Sequence, residues 1–405
     1  MHRIAGFTLP ANGPPRQEVS EAAMPTRVGL LGSDYRGLRL RPLVAEGDRV
    51  RAGDPVLADR TRPELVVTAP LAGTVEVISI GERRQVGTLE IRVESDERRE
   101  FDIGGGTKEA MLASGLWTAL RRRPFGGVPV PDEAPTAILV SAMSTEPGAA
   151  DPAVCIARSR AAFDRGAAAL GLLTDGPVLI CQGAGDRLAG TSGRIRSVVF
   201  RGGHPAGLPG IQIERLCPAS AARPVWDIGH EDVIALGTLL SDGHLPIRRI
   251  VALGGDRARA PRLIELPGGA DLEELALNEA AEGPRRVLSG SALSGRESRF
   301  LRRRDAQVSL LERPAQVPPK RPRFGVAPKR AALIPHAALI AALGPDIPAI
   351  PLLRSLSVGD DAAAARLGAM GLVEEDMALA TYLTGGTEDF GARLRAVLDR
   401  LEAGA

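Results

Sequence analysis

At 405 residues the chain is long enough for about two to four domains, and 44% hydrophobic residues suffice for buried cores, but with only 3% aromatics the packing must rest on Leu, Val, Ile and Ala. The 51 basic and 49 acidic residues nearly cancel to a formal +2, which argues against a broad nucleic-acid-binding face. Cys155, Cys181 and Cys217 lie far apart, so there is no CxxC pair, iron–sulfur run or disulfide framework, a pattern that fits a reducing compartment.

Residues 1–100 read as strand-rich. Short apolar runs at 65–68, 74–78 and 88–93 are separated by turn-forming segments that contain Gly73 and Gly81. The glycine and valine spacing of residues 44–57, followed by Thr68-Ala-Pro-Leu-Ala-Gly-Thr-Val75, resembles that of biotinyl and lipoyl carrier domains, flattened barrels that present one lysine at a hairpin tip. Counted back from Ala69 and Pro70, the place of that lysine falls to Arg62, whose guanidinium stays protonated and is a poor nucleophile for acylation. The expected unit is a barrel-sandwich hybrid without the swinging arm, a structural or docking module with Arg62 unmodified on an exposed tip.

A helix is expected over 108–122, ending at the break Arg123-Pro-Phe-Gly-Gly127. A buried strand at 137–140, a long alanine-rich helix at 153–170 and a second strand at 177–181 then suggest an α/β layer around a partly parallel sheet, so 101–245 reads as Rossmann-like. After Pro246, strands at 249–255, 261–266 and 287–290 with a helix at 271–277 resemble a β-grasp in their order, which sets a unit at 246–312. Residues 313–330 form a Pro-rich basic linker carrying Lys320, Arg321, Arg323, Lys329 and Arg330, and 331–405 a helical tail with helices at 360–369 and 388–401. In the second of these, Phe390, Leu394, Val397 and Leu401 share one face, which needs a partner surface and is expected to dock on another protein, with this chain's own core as the alternative. The triplets Arg121-Arg122-Arg123 and Arg302-Arg303-Arg304 could touch acidic partners or lipid headgroups, but each reads preferably as a solvated edge or linker. No segment approaches the length needed to cross a bilayer, and the N-terminus lacks the apolar core of a signal peptide.

Chemical motifs are few. The glycine run of residues 101–108 lacks phosphate-loop spacing and reads as a turn, and in residues 182–190 the third glycine comes too late for a dinucleotide fingerprint. No GxSxG or HExxH occurs. His2, His204, His230, His244 and His336 are too dispersed for a local ligand set. His204, between glycines and Pro205, reads either as a proton-handling group at a cleft or, preferably, as a loop-shaping residue satisfied by backbone; Trp226 reads as core. No catalytic, cofactor-binding or metal-ligating residue is assigned, and the purified chain is expected to carry no flavin, iron or zinc.

Gly29-Leu-Leu-Gly-Ser-Asp-Tyr-Arg-Gly37, the Glu46-Gly-Asp and Thr68-Ala-Pro-Leu-Ala-Gly blocks, Asp151-Pro-Ala-Val154, His204-Pro-Ala-Gly207, Val225-Trp-Asp-Ile-Gly229 and Val287-Leu-Ser-Gly-Ser-Ala-Leu-Ser-Gly295 together resemble, in order, the A-subunit family of the sodium-translocating NADH:quinone oxidoreductase. The tail agrees at residues 354–360 and 367–376, and a more distant similarity reaches the C-subunit of the Rnf complex and the flavin-bearing NADH subunit of complex I. The resemblance implies a barrel-sandwich hybrid, a Rossmann-like middle and an SLBB-type β-grasp domain. It further implies a non-redox subunit, peripheral on the cytoplasmic side of the inner membrane, in a translocase that passes electrons from NADH to ubiquinone while exporting sodium. Flavins and an iron–sulfur centre would then belong to sister subunits, with ubiquinone a possible partner of this chain. Two departures stand out: the region after Ser309 is shortened, and Ala380 and Thr384 occupy the places of the family's tail cysteines. A stand-alone ligand-binding or scaffold homologue, cytoplasmic or docked on a different membrane partner, is the alternative.

Overall fold

The computed structural model describes residues 1–11, 13–81, 84–190, 192–313, 333–386 and 388–404. The linker stretch 314–332, with Lys320, Arg321, Arg323, Lys329 and Arg330, lies outside them.

The barrel is built as its glycine and valine spacing predicts. A four-stranded sheet, in spatial order Arg27–Leu31, Val86–Ser95, Ala72–Ile80 and Arg49–Val50, faces a three-stranded sheet of Leu40–Pro42, Pro55–Asp59 and Val66–Thr68. Alternate apolar residues, among them Val28, Val56, Leu71, Leu89 and Ile91, point inward and are fully or almost fully buried.

Parallel sheets need both faces covered, and the second sheet has the near-continuous apolar strands this demands. Its order is His2–Arg3, Ile195–Arg201, Val178–Gln182, Ala137–Ala142, Val225–Gly229 and Arg121–Arg123, all parallel except the last. The helix expected over 153–170 is two, Pro152–Arg158 and Arg160–Leu170, broken at Ser159 where φ is −133°. That expected over 108–122 shortens to Thr107–Ala113 because Gly115 turns left-handed at φ 75°, freeing Arg121–Arg123 to become an edge strand.

The third sheet runs Arg296–Glu297, Arg285–Ser289, Gln307–Glu312, Arg249–Gly254, Arg262–Leu266 and Arg16–Glu21. Its Arg249–Gly254 and Arg262–Leu266 hairpin, the Leu272–Glu279 helix and the parallel return strand Gln307–Glu312 are the β-grasp order. Asp271 starts the helix by accepting from the backbone N–H of Glu273 and Glu274. The first residues do not stay in the barrel, where the sequence set them: His2–Arg3 edges the parallel sheet and Arg16–Glu21 edges the β-grasp sheet. Thus the N-terminal segment spans two units before the barrel begins.

The tail also departs from expectation. The Phe390–Ala403 helix buries Phe390, Leu394, Val397 and Leu398 in one core with Leu139, Phe200 and Ile211 of the parallel-sheet unit and with the Ala349–Val358 helix. The apolar face expected to dock on a sister protein is therefore closed by this chain's own core. An amphipathic stripe announces burial without naming the surface that covers it. Leu394→Ala should lower the unfolding free energy by about 2–5 kcal/mol in urea denaturation, the range for a large-to-small change in a packed core, and truncation before Asp389 should give an unstable protein. Unchanged stability in both would place the helix outside the core.

Candidate functional site

The two arginine triplets are not solvated edges. In the edge strand, Arg121 lies directly opposite Asp227 and Arg123 opposite Val225, so the period of two puts Arg121 and Arg123 on the face of Asp227 and Arg122 on the other. Arg121 holds Asp227 through bonds of 3.1–3.2 Å. Arg123, fully buried, donates to Asp227 at 3.0 Å, to the Gly371 carbonyl at 2.6 Å and to Asp376 at 3.3 Å. Arg122, on the opposite face, pairs with Glu133 at 2.8 Å.

The second triplet leaves the β-grasp unit and reaches the other two. Arg302 pairs with Asp34 of the barrel at 2.8 Å, Arg303 with Asp232 at 2.8 Å, and Arg304 with Asp227 at 3.1 Å while also donating to the Ala119 carbonyl. Three guanidiniums thus converge on one carboxylate fixed by a strand. Burial alone would raise the Asp227 carboxyl, but Arg121, Arg123 and Arg304 hold it well below the usual carboxylate range. Beside it, burial raises Asp376, whereas Arg121 holds Glu375 down.

Two cavities open along this seam. One of about 670 Å³ lies between Leu30 of the barrel, Pro70, Leu116, Ile234 and Gly269. The other, about 1430 Å³, runs past Asp34, Glu146, His230, Ser291, Asp305 and Tyr382. Gly290 turns the chain into the second at φ 99°, and a Cβ there would sit 2.7 Å from the Gly295 Cα, which explains the glycine pair. The turn aims the Ser291 hydroxyl at Glu146, 2.6 Å away. Burial, reinforced by Glu375 and Asp376 and opposed by the serine hydroxyls, pushes Glu146 up to about 7.

The residues singled out in the sequence do not assemble into a catalytic centre. Residues 104–105 form a turn, as expected, and residues 183–190 contain no helix, so no helix N-terminus is available there for a pyrophosphate. His204 is 1% exposed and lies 3.4 Å from the Thr145 hydroxyl through Nδ1, while its Nε2 is buried without a hydrogen-bond partner, so backbone groups do not satisfy the whole ring, contrary to expectation; burial pushes it down to about 4. Trp226 is core and packs edge-on against Trp117, with ring centroids 5.5 Å apart. Arg62 sits in the hairpin between Pro55–Asp59 and Val66–Thr68, but its side chain is drawn in rather than projecting freely, because fully buried Asp59 accepts from its Nε at 3.3 Å and the Gly37 carbonyl from its Nη2 at 3.2 Å. Sequence spacing missed one grouping: the ligand atoms of Cys155, His230 and Glu231 lie within 4.8 Å of one another, brought together from two helices.

Comparison with known proteins matches three family models in chain order: the NqrA N-terminal barrel-sandwich hybrid domain over residues 3–94, the NqrA second alpha/beta domain over 105–245 and the NQRA C-terminal domain over 250–299. The A-subunit of the Na(+)-translocating NADH-quinone reductase of Klebsiella pneumoniae (strain 342) is 39% identical over 98% of both chains. This chain belongs to the NqrA family. The corresponding proteins of Saccharophagus degradans and Pasteurella multocida are 36% and 35% identical, again over 98% of both chains. A solved NAD+-reducing [NiFe]-hydrogenase overlaps 51% of this chain and 47% of its own at 15% identity and a TM-score of 0.37, too loose to carry a shared function. In this chain the arginine seam is where the barrel, the parallel-sheet unit and the β-grasp unit meet.

Asp227 has a folded-state pKa below its unfolded value near 3.9, so its contribution to stability is complete above about pH 4 and fades as the pH falls further. Asp227→Ala, which leaves three cations facing an empty place, should cost about 3–5 kcal/mol in denaturant unfolding at pH 7; a loss under about 1 kcal/mol would contradict the seam as described. Glu146 runs the other way. Raised from 4.5 to about 7, it costs folded-state stability progressively as the pH rises through that window. Glu146→Gln should therefore gain on wild type between about pH 5 and pH 8, by up to about 3 kcal/mol, in unfolding measurements at the two pH values.

Proposed function

We propose that this chain serves as a peripheral, non-redox subunit of a sodium-translocating NADH:quinone oxidoreductase, supporting electron transfer from NADH to ubiquinone coupled to sodium export. The observation that carries the reading is end-to-end relatedness at 39% identity to a named reductase subunit, with all three domain models in order. Among the described residues no helix is long and apolar enough to cross a membrane, so attachment in this reading is through protein surface on the cytoplasmic side. Flavins and the iron–sulfur centre are assigned to sister subunits. Ubiquinone is the small-molecule partner the reading implies, and the 670 Å³ seam cavity has the volume of small-molecule sites, roughly 300–1,000 Å³.

The alternative, a scaffold serving another membrane partner, keeps the fold but not the link to quinone reduction. In inverted membrane vesicles from a host lacking this chain, NADH oxidation with an artificial acceptor should persist while sodium-stimulated ubiquinone reduction is lost, and the intact chain should restore it. Vesicles with undiminished quinone reduction would refute the subunit role and leave the scaffold reading.

A further inference from the structure

Cys155 comes from the Pro152–Arg158 helix and His230 and Glu231 from the first turn of the His230–Asp242 helix, at the place where these helices carry the β-grasp sheet. Each of the three offers one ligand atom. The His230 Nδ1 lies 3.2 Å from the Ser141 carbonyl, which must accept, so Nδ1 bears a proton and Nε2 is the ring nitrogen turned toward Glu231. The Glu231 Oε2 accepts from the Ile250 backbone N–H at 3.2 Å, while Oε1 is buried with no hydrogen-bond partner. Cys155 is a buried free thiol. A carboxylate oxygen withdrawn from water is costly to leave without a full set of partners, and this one lies 3.8 Å from the His230 Nε2 and beside the Cys155 thiol.

We propose that Cys155 Sγ, His230 Nε2 and Glu231 Oε1 bind a zinc-type divalent transition metal, with a further coordination position open to the seam cavities. Thiolate and imidazole donors select against magnesium and calcium, which take oxygen ligands, and suit zinc or cobalt. The imidazole and carboxylate are each oriented through their second heteroatom, as the ligands of metal sites commonly are. Charge closes: one thiolate and one carboxylate neutralise a dication, and the imidazole stays neutral. On binding, the S–H bond breaks, a sulfur–metal bond forms and the proton leaves to solvent. Without metal, burial and then the neighbouring Glu231 push the Cys155 thiol well up, so the dication is what permits the thiolate. The other charges nearby are Asp151, on the thiol's side, and Arg249, which with Asp232 faces Glu231. Tetrahedral bonds of about 2.0–2.3 Å bring ligand atoms to about 3.5 Å, so on binding the three side chains would close in from the present 4.8 Å limit. The open position follows from the cavities, since Cys155 and Glu231 line the smaller and His230 and Glu231 the larger. Bound there, the metal would clasp two helices of the parallel-sheet unit beneath Ile250 of the β-grasp strand.

The full-length protein, stripped with chelator and titrated with cobalt(II), should take up one equivalent with a near-ultraviolet thiolate charge-transfer band, visible ligand-field bands of a four-coordinate site and a raised unfolding midpoint. Cys155→Ala should abolish the charge-transfer band and weaken binding by more than about 100-fold, beyond the loss expected for a mere orienting partner. His230→Asn, which leaves the thiol in place, should weaken binding by a similar factor and provides the check if the cysteine variant folds poorly. Cobalt bound without a thiolate band, equal binding by wild type and both variants, or no uptake at all would each overturn the site.

Discussion

A single carboxylate held against three guanidiniums is the interaction on which the arrangement of this molecule depends. Asp227 is fixed by a strand second from the edge of the parallel sheet, Arg121 and Arg123 reach it from the neighbouring edge strand, and Arg304 reaches it from the β-grasp unit. A buried ion pair is weak as a source of net stability, because desolvation offsets most of the Coulomb attraction. Its geometric effect is different: once several charges have left water together, any slip of one unit leaves an uncompensated charge. Apolar packing alone would tolerate such slips at smaller cost. The seam thus fixes relative placement more than it adds to stability, and Arg302 with Asp34 and Arg303 with Asp232 extend the same constraint to the barrel and to a helix start.

What the sequence disclosed and what it withheld divide by range. The barrel was legible because glycine and valine spacing is a local signature, and the alternation of helix and strand in the middle region is likewise a matter of neighbouring residues. The arginine triplets were misread because a run of like charges resembles a solvated face until a partner is known, and their carboxylates lie far along the chain. For Arg121 and Arg123 the period of two in a strand could have warned that alternate members face one way, but only if the strand had been recognised, and Gly115 ended the expected helix earlier than its apolar pattern suggested. The trio of Cys155, His230 and Glu231 carries no spacing signal at all, since two helices from different places in the chain bring it together.

Arg62 shows how a local prediction can be correct in position and incomplete in physics. The hairpin stands where carrier-domain spacing places it, and the residue there is the arginine that spacing named. A carrier lysine must move freely, whereas this guanidinium is planar, carries a fork of donors and finds a buried acceptor in Asp59, which also accepts from the Thr61 hydroxyl and the Arg39 amide. The loop that would swing in a carrier is therefore pinned to its own barrel, with Asp59 held below its ordinary range because these hydrogen bonds outweigh burial.

The same reasoning bears on the cavities. The larger one is lined by Glu146, pushed up to about 7, and by the paired Arg121, Arg302 and Arg304, with Arg249 and Arg296 beside them. The paired arginines have no spare charge to offer an anion without abandoning carboxylates that burial makes costly to expose. Glu146 is the group whose charge can change at small cost, and Ser291 and Ser294 give it donors in either state.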